Sequence, residues 1–490
     1  MGGRLRNFSN ASPSVDGSGI SGMTPEDRIK TLSNFLGRLP EQIATRLAKA
    51  IEVDRLGDGV VLPHDAILDG LRPILRRGTN VARTATPLRL FCKPFEDLLV
   101  SGPRKDKQKG RIARSSLAPV WKWLAHTLLP AEHAAYVQTT KAAAYAYRLD
   151  EANAAAVAYW AQASQAIRNA LTGDAKRNAA RLVLNSDAVV EDAWEMSLLL
   201  AAGRSIRELH ALLPKPTPAL TEELVWSLRG IYDHLLETAP DSAPYVAVSA
   251  MNRLTHPWEA LRLPLTISRQ TQDTLISNTD MGLVGEILLG DMERHAVLIH
   301  AARQPVFDAA ALVEHVVGFA ALSNGIVKEI EMRRDGRWGQ RLMKDRAAVA
   351  EMMESFIKRA PREILAVLPM LKTGSYAGGP RAPDLSHALD PEKAERARRY
   401  ARLLVGCRPA AAAASFGAAL NDARDEVIVA LRPYCEAIVK ELRESQGARR
   451  RIAEQYFEIA AELTTQFLSA EEGEFLRRRG RAALGTPAAA

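Results

Sequence analysis

Two side chains that could take part in acid–base or metal chemistry, Asp291 and His295, are four residues apart and would share one face of a helix. Carboxylate and imidazole groups transfer protons and bind borderline metal ions. Three further candidates follow, although their spacing suits no common face: His300, Glu314 and His315. The sequence favours a structural ion pair between Asp291 and His295 and two partly buried histidines, with an acid–base or metal site near 291–315 as the alternative.

Other signs of catalytic chemistry are scarce in this sequence. No GxxxxGK[ST], HExxH, GxSxG or ExxH pattern that would suit a nucleotide, zinc, nucleophile or di-metal site occurs. The cysteines Cys92, Cys407 and Cys435 lie far apart, which predicts buried free thiols in a reducing compartment. We therefore expect no metal and no cofactor, and an enzymatic function depends on the 291–315 cluster alone.

A second chemically distinctive stretch is SGPRKDKQKGRIARSS, residues 101–116, which holds six basic side chains and one acidic side chain. Its proline and glycines predict an irregular backbone. Lysine is a compact point charge, which suits attraction to phosphates or lipid headgroups better than the recognition of bases. The candidate residues for binding an anionic partner are Arg104, Lys105, Lys107, Lys109, Arg111, Arg114 and Trp123. The alternative is a loop that is only solvated and whose charge keeps the protein soluble.

The net charge of the chain is concentrated around this loop. Residues 72–114 contain twelve basic and three acidic side chains, a balance of +9 in a chain whose net charge is +8. This asymmetry indicates an anionic partner more strongly than a diffusely basic chain would. Because the loop has turn composition, we expect Lys105, Lys107, Lys109, Arg111 and Arg114 to serve binding, and their substitution to change stability by about 0.5 kcal/mol or less.

The sequence WKW at 121–123 follows the loop. Val120, Trp121 and Leu124 recur at helical spacing, which predicts that Trp121 lies in the core. Trp123 falls off this stripe. Its side chain could stack on a nucleic-acid base, lie at a membrane interface or cover a neighbouring helix.

Helical periodicity of the apolar residues continues through most of the 490 residues. Only two short pieces resemble strands, PYVAVSA at 244–250 and PLTIS at 264–268, and we find no fixed repeat of the kind that marks a regular solenoid. Pro433 is expected to kink or restart its helix. The sequence predicts an all-α fold, an irregular multi-helix array or stacked helical hairpins with two to three subdomains.

The predicted organisation of the chain follows its changes in composition. The ranges are a disordered N-terminal tail at 1–23, an N-terminal helical domain at 24–130 with the basic segment 72–114, a central helical domain at 131–372, a Gly/Pro-rich linker or lid at 373–388, a C-terminal helical hairpin region at 389–484 and a tail at 485–490.

The same sequence features predict where the protein works and what it does. The first 23 residues lack the apolar core of a secretory signal, and polar residues interrupt the most apolar stretch at 309–327, so we expect a cytoplasmic protein without a transmembrane segment. We predict a helical interaction or scaffold protein whose basic surface binds an anionic partner, first of all an acidic protein. The alternatives are a nucleic-acid-associated protein that grips the phosphate backbone without base specificity and, with less support, an anionic membrane surface as partner.

Overall fold

The computed structural model describes residues 31–32, 35–54, 64–75, 85–101, 107–146, 148–269, 276–277, 279–302, 306–372 and 381–485. Most of these residues are helical, which confirms the all-α prediction. The helices are α1 Glu41–Asp54, α2 His64–Leu75, α3 Pro87–Cys92, α4 Leu117–Trp123, α5 Pro130–Tyr145, α6 Leu149–Leu171, α7 Asp174–Leu184, α8 Asp187–Ala201, α9 Gly203–Leu212, α10 Glu222–Thr238, α11 Tyr245–Met251, α12 Arg262–Ser268, α13 Leu283–Ala301, α14 Ala309–Glu329, α15 Arg337–Leu365, α16 Pro391–Gly406, α17 Gly417–Glu444, α18 Gly447–Phe467 and α19 Ala470–Gly485.

Strand structure in the described residues is limited to two small two-stranded sheets and one isolated bridge. The strands are β1 Leu99–Val100, β2 Ile112–Ala113, β3 Met370–Lys372 and β4 Arg381–Pro383. β3 and β4 pair antiparallel, with Leu371 opposite Ala382. The end of the predicted 373–388 linker is therefore ordered as a strand, while residues 373–380 lie outside the described part of the chain.

The chain divides into two compact units by its internal contacts. Unit 1 holds residues 1–96 and 113–204, and unit 2 holds residues 97–112 and 205–490. The basic segment 72–114 is thus shared between them, since its part from Asp97 to Ile112 packs with unit 2. The predicted tail at 1–23 lies outside the described residues.

Unit 1 is organised around a cluster of aromatic side chains. Tyr136 of α5 and Tyr159 of α6 stack with ring centroids 4.3 Å apart, and the Tyr159 hydroxyl lies 2.7 Å from Nδ1 of His133. The Tyr136 hydroxyl donates to the backbone oxygen of Pro87 over 2.7 Å. Because each buried hydroxyl has a partner, the cluster contributes apolar burial without the cost of an unsatisfied polar group. A separate small core between α1 and α2 contains Leu36, Ala44, Ala48 and Leu71.

Unit 2 is built from α9 and the helices that follow it, together with residues 97–112. Along α14 and its C-cap, apolar positions and Ser323 recur in the sequence at alternating spacings of four and three, and all six residues of this stripe are buried: Leu312, Val316, Phe319, Ser323, Ile326 and Ile330. Two glycines permit close approach, because a Cβ at Gly285 would stand 2.2 Å from the Trp338 ring and one at Gly325 would stand 2.1 Å from Trp258. In α17 the helix runs through Pro433 without restarting.

The two strand-like pieces of the sequence are helices, so that part of the prediction was wrong. PYVAVSA falls in α11, where every residue from Tyr245 to Met251 is buried. PLTIS falls in α12. In α11 the β-branched and aromatic residues fit a helix that is buried on all sides, so tertiary packing overrides their strand propensity there.

Helix α14 is, among the described residues, the one helix long and apolar enough to cross a membrane by length and composition. In the structure it packs against α13 and α16. The hydroxyl of its buried Ser323 accepts a hydrogen bond from Nε of Arg346 over 2.6 Å. The three cysteines are free and buried, as predicted.

Candidate functional site

The basic loop, residues 101–110, is attached to unit 2 at its N-terminal end by the carboxylate of Asp97, which precedes it in the chain. This side chain is 5% exposed, and its oxygens lie 2.7 Å from Nη1 of Arg253 and 2.9 Å from Nζ of Lys215. Nε2 of His210 stands 3.1 Å away. Burial by itself raises the pKa of a carboxyl group, but the hydrogen bonds and charges of His210, Lys215 and Arg253 outweigh it and hold the pKa of Asp97 well below its usual range.

Arg111 attaches the C-terminal end of the loop. Its guanidinium donates to Oδ1 of Asn252 over 2.6 Å and to the carboxylate of Asp291 on α13. The Arg111 side chain is only 11% exposed, and Asp291 also accepts from Nη2 of Arg294 over 2.8 Å. Arg111 was predicted as a surface contact for a partner; instead, it is a buried structural cation. The expectation that its substitution leaves stability unchanged is therefore not supported by the geometry.

The last residues of the loop lie directly on α13. Gly110 has φ of 81° and is buried, and a Cβ there would stand 2.2 Å from Cδ1 of Ile287. A glycine meets both demands at once, because only glycine adopts this backbone region freely and lacks the clashing atom. Oε1 of Gln108 accepts from Nη2 of Arg294 over 3.3 Å. The loop is consequently held between two buried ion pairs and a close backbone contact.

The remaining loop cations differ in what they do. Lys107 is half-buried, and its Nζ donates to the backbone oxygen of Arg111 over 2.7 Å, which closes the loop on itself. Lys109 is exposed and makes no ion pair with any described residue. Arg104 and Lys105 lie outside the described residues. Lys109 is therefore the clearest surface cation of the described loop.

The last two candidates belong to unit 1. Arg114 is exposed and begins a short 3-10 turn, Arg114–Ser116, that Asp192 fixes by accepting from Ala113 N over 3.0 Å and from Ser116 Oγ over 2.7 Å. Trp123 is 4% exposed, which agrees with the alternative that it covers a neighbouring helix and not with stacking on a base or a place at a membrane interface.

The reason lies in how α4 is covered. The helix packs against both α7 and α8, and its C-terminal end widens into a π-helical turn, Leu124–Leu128, so more than one face is buried. Trp121, predicted to be core, is half-buried, with its ring centroid 4.3 Å from that of His133 and 5.1 Å from that of Phe91.

Two more cations of the segment 72–114 are engaged inside unit 1. Nη2 of Arg89 lies 2.5 Å from Oε1 of Glu52, and Nζ of Lys93 donates to Oδ1 of Asn153 over 3.1 Å. Part of the charge excess therefore serves intramolecular contacts. Among the described cations of the segment, Lys109 and Arg114 are the exposed ones, while Arg76, Arg77 and Arg83 lie outside the described residues.

The 291–315 residues do not converge on one site. Asp291 pairs with Arg111 and Arg294 rather than with His295, so the predicted Asp291–His295 ion pair was wrong. His300 and Glu314 are exposed. Within the described residues, no group of three or more His, Cys, Asp or Glu side chains could hold a metal ion.

What the structure does bring together from this set is an imidazole pair, formed by His295 of α13 and His315 of α14. Their ring centroids are 5.4 Å apart, and Nδ1 of each is buried without a hydrogen-bond partner. The His295 ring also packs closely against Gly318 of α14. Burial is the main cause that lowers the pKa of His295, and the neighbouring His315 and Arg294 lower it further. Asp291 and Glu314 act in the opposite direction.

This pair makes unfolding pH-dependent. The pKa of His295 is lowered in the folded state, so the unfolded chain binds a proton first as the pH falls below about 6.5, and stability is lost from there downwards. We expect the midpoint of urea unfolding to fall between about pH 7 and pH 5, and His295→Gln to flatten that fall. His300→Gln, a substitution at an exposed histidine of the same helix, is the control. If the unfolding midpoint of His295→Gln fell with pH as steeply as that of the wild type, His295 would not be the source of the pH dependence.

Sequence reasoning missed the residues that hold the loop, namely Asp97, Arg253 and Asn252. The two adjacent acidic residues Glu96 and Asp97 in a basic segment were a usable signal, because a carboxylate near many cations is commonly paired, but the sequence does not show which of the two is buried. No local signal marks Arg253 or Asn252, which lie about 140 to 156 residues away in the chain from their loop partners.

Comparisons with known proteins identify no relative. No family model, no curated protein and no solved structure matches the chain.

Proposed function

We propose that this protein is a cytoplasmic helical interaction protein that binds an anionic partner through the basic loop, residues 101–110, with an acidic protein as the first candidate. The observation that carries the proposal is the concentration of charge, since residues 72–114 hold a balance of +9 in a chain of net charge +8. Arg104, Lys105 and Lys109 are the cations of the loop to which we assign no internal role.

The attachment of the loop supports this proposal. Buried ion pairs at Asp97 and Arg111 hold both ends, and Gly110 seats the backbone against α13. A loop whose ends are already ordered loses less conformational entropy when it binds, so its cations contribute more net affinity than those of a free tail. The anchors and the surface cations thus have separate roles.

A charge-removal experiment tests the proposal. The variant in which Arg104, Lys105 and Lys109 are replaced by glutamine keeps Lys107 and Arg111, and hence the internal contacts of the loop. We expect it to bind a fluorescent polyglutamate peptide about tenfold or more weakly than the wild type, measured by fluorescence anisotropy, because complementary charges across the interface are removed. Its unfolding midpoint should stay close to that of the wild type.

The matched control removes three positive charges elsewhere on unit 2. Lys358, Lys440 and Arg478 are exposed helix residues, and their replacement by glutamine gives the same change in net charge. We expect this control to bind polyglutamate within about threefold of the wild type, because distant exposed charges are screened at physiological salt. Equal losses in the two variants would contradict a local role of the loop.

A nucleic acid is the alternative partner, and salt separates it from an acidic protein. Binding of lysines to a phosphate backbone releases condensed counterions, so affinity for duplex DNA or RNA would fall by orders of magnitude between about 50 and 200 mM salt. Capture of partners from native lysate with and without nuclease gives the second readout. A partner lost only after nuclease treatment would move the assignment to nucleic acid.

A further inference from the structure

A cleft of about 880 Å³ lies within unit 2 along α15 and α16. Its volume is in the range of pockets that hold small molecules, about 300–1,000 Å³. The lining residues recur three and four positions apart, so each helix turns one face to the cleft. The residues that matter for its chemistry are Phe356, Arg359 and Glu363 from α15 and Arg396, Arg399 and Tyr400 from α16.

Two of the three arginines that line the cleft form no ion pair with any described residue. Nη1 of Arg396 stands 3.5 Å from Oε2 of Glu363 and joins the two helices. Arg359 is exposed and forms no ion pair with any described residue. Nε of Arg399 is buried and has no hydrogen-bond partner among the described residues. Neither guanidinium group has a carboxylate counter-charge among the described residues, so both charges are available to an anion that enters the cleft.

The acidic residues of the cleft leave a net positive charge at these arginines. Glu363 is taken by Arg396, and Glu395 lies 3.8 Å from Arg402 and 3.9 Å from Arg398, on α16 itself. Glu392 is then the only carboxylate of the described lining without an ion pair. Two guanidinium groups of the lining, those of Arg359 and Arg399, have no ion pair with a described residue. The complementary ligand charge is therefore about one negative unit.

The N-terminus of α16 does not compete for the same anion. Oδ1 of Asp390 accepts from the backbone N–H groups of Glu392 over 2.9 Å and Lys393 over 3.4 Å, so two amides of the first turn already have a partner. An anion in this cleft would consequently meet guanidinium groups rather than a free helix end.

The inner wall of the cleft is aromatic. The ring centroids of Phe356 and Tyr400 lie 5.1 Å and 5.3 Å from that of Phe307, which joins them into one cluster. Burial raises the pKa of Tyr400, as does Glu363, while the charges of Arg359, Arg396 and Arg399 oppose that rise, so all three guanidinium groups act near its hydroxyl. Oxyanion-binding groups thus stand beside an apolar surface.

We propose that this cleft binds a small aromatic oxyanion, with its carboxylate or phosphate group on Arg359 and Arg399 and its ring against Phe356 and Tyr400. The guanidinium fork matches both kinds of oxyanion in a bidentate manner. This site is independent of the basic loop, because none of its lining residues belongs to residues 97–112.

Two ring-bearing probes test the site and distinguish the anion. 1-Naphthoate carries a carboxylate and 1-naphthyl phosphate carries a phosphate on the same ring, and both are titrated into the full chain by calorimetry. We expect at least one to bind with a dissociation constant below about 1 mM, and inorganic phosphate, which lacks the ring, to bind about tenfold or more weakly. The tighter of the two probes identifies the oxyanion. Failure of both probes to bind would overturn the proposal.

Two single substitutions assign the binding to the arginines. We expect Arg359→Gln and Arg399→Gln each to weaken the bound probe about tenfold or more, because each removes a charge-assisted hydrogen bond. Lys358→Gln, on α15 and outside the lining, should change affinity less than about twofold, because Lys358 is exposed and pairs with Glu354 rather than with a residue of the cleft. Equal affinity in wild type and Arg359→Gln would overturn the assignment, and Arg359 is exposed, so that variant keeps its fold.

The thermal stability of Arg399→Gln gives a second readout. Since Nε of Arg399 is buried without a partner, its removal should leave the melting temperature unchanged or raise it, whereas the bound probe should stabilise the wild type alone. A marked fall in the melting temperature of the unliganded variant would show that Arg399 is structural and would refute the role assigned to it.

Discussion

Replacement of Asp97 by asparagine is expected to lower the free energy of unfolding by about 3–5 kcal/mol, the usual cost of removing one partner from a buried ion pair. The amide keeps the size of the side chain but leaves the guanidinium of Arg253, which is 10% exposed, without its counter-charge. Urea denaturation followed by far-UV circular dichroism measures the loss.

The control for this change is Asp335→Asn. Asp335 pairs with Arg333 at a distance of 2.9 Å, but its side chain is 72% exposed, so its loss should cost little. A loss below about 1 kcal/mol in Asp97→Asn would show that Arg253 finds another partner and that the anchor is not essential.

The lowered pKa of Asp97 also predicts how the free energy of unfolding changes at acid pH. The folded pKa lies below the unfolded value of about 3.9, so the folded state holds its charge where the unfolded chain takes up a proton. The contribution of Asp97 to stability is therefore fully present above about pH 5 and is lost as the pH falls towards the folded pKa. The asparagine variant should lack that part of the acid-induced loss.

Replacement of Arg111 by glutamine should lower the free energy of unfolding by about 2–3 kcal/mol. This is at or just below the smallest usual cost of removing one partner from a buried ion pair, because Arg294 remains to neutralise Asp291. It should also weaken binding of the polyglutamate probe although every surface cation of the loop is kept, since the C-terminal anchor is lost. Urea denaturation and anisotropy give the two readouts on the same sample.

Lys109→Gln is the matched control, because Lys109 is exposed two residues from Arg111. Its effect on stability should stay within about 0.5 kcal/mol. If Arg111→Gln were as stable as Lys109→Gln, the buried pair with Asp291 would be contributing nothing to the attachment of the loop.

The contrast between these two neighbours shows what composition can and cannot reveal. Lys109 and Arg111 look alike in the sequence, as cations in one turn-rich segment. They differ because Arg111 meets Asp291 and Asn252, which stand 180 and 141 residues further along the chain. Whether a charge is paired depends on such distant partners, and local patterns hold no record of them.

The cleft of α15 and α16 gives the same lesson. The sequence shows several arginines within ERARRY at 395–400. It does not show that Arg396 and Arg398 have acidic partners on other helices, while Arg399 has no acidic partner among the described residues. The Asp291–His295 pair failed for the same reason, since Arg111 offers Asp291 a permanently charged donor whereas a buried imidazole is held neutral.

What the sequence by itself determined is the secondary structure class and the apolar faces. The stripe from Leu312 to Ile330 is buried at all six positions because burial of one helix face follows directly from a 3.6-residue period. The periodicity identifies one apolar face and does not show when a helix is covered on several sides. For this reason it did not indicate the burial of Trp123 or the helical structure of the α11 segment. The tertiary structure alone decided which charges are paired, because ion pairs depend on distances of a few ångströms between segments far apart in the chain.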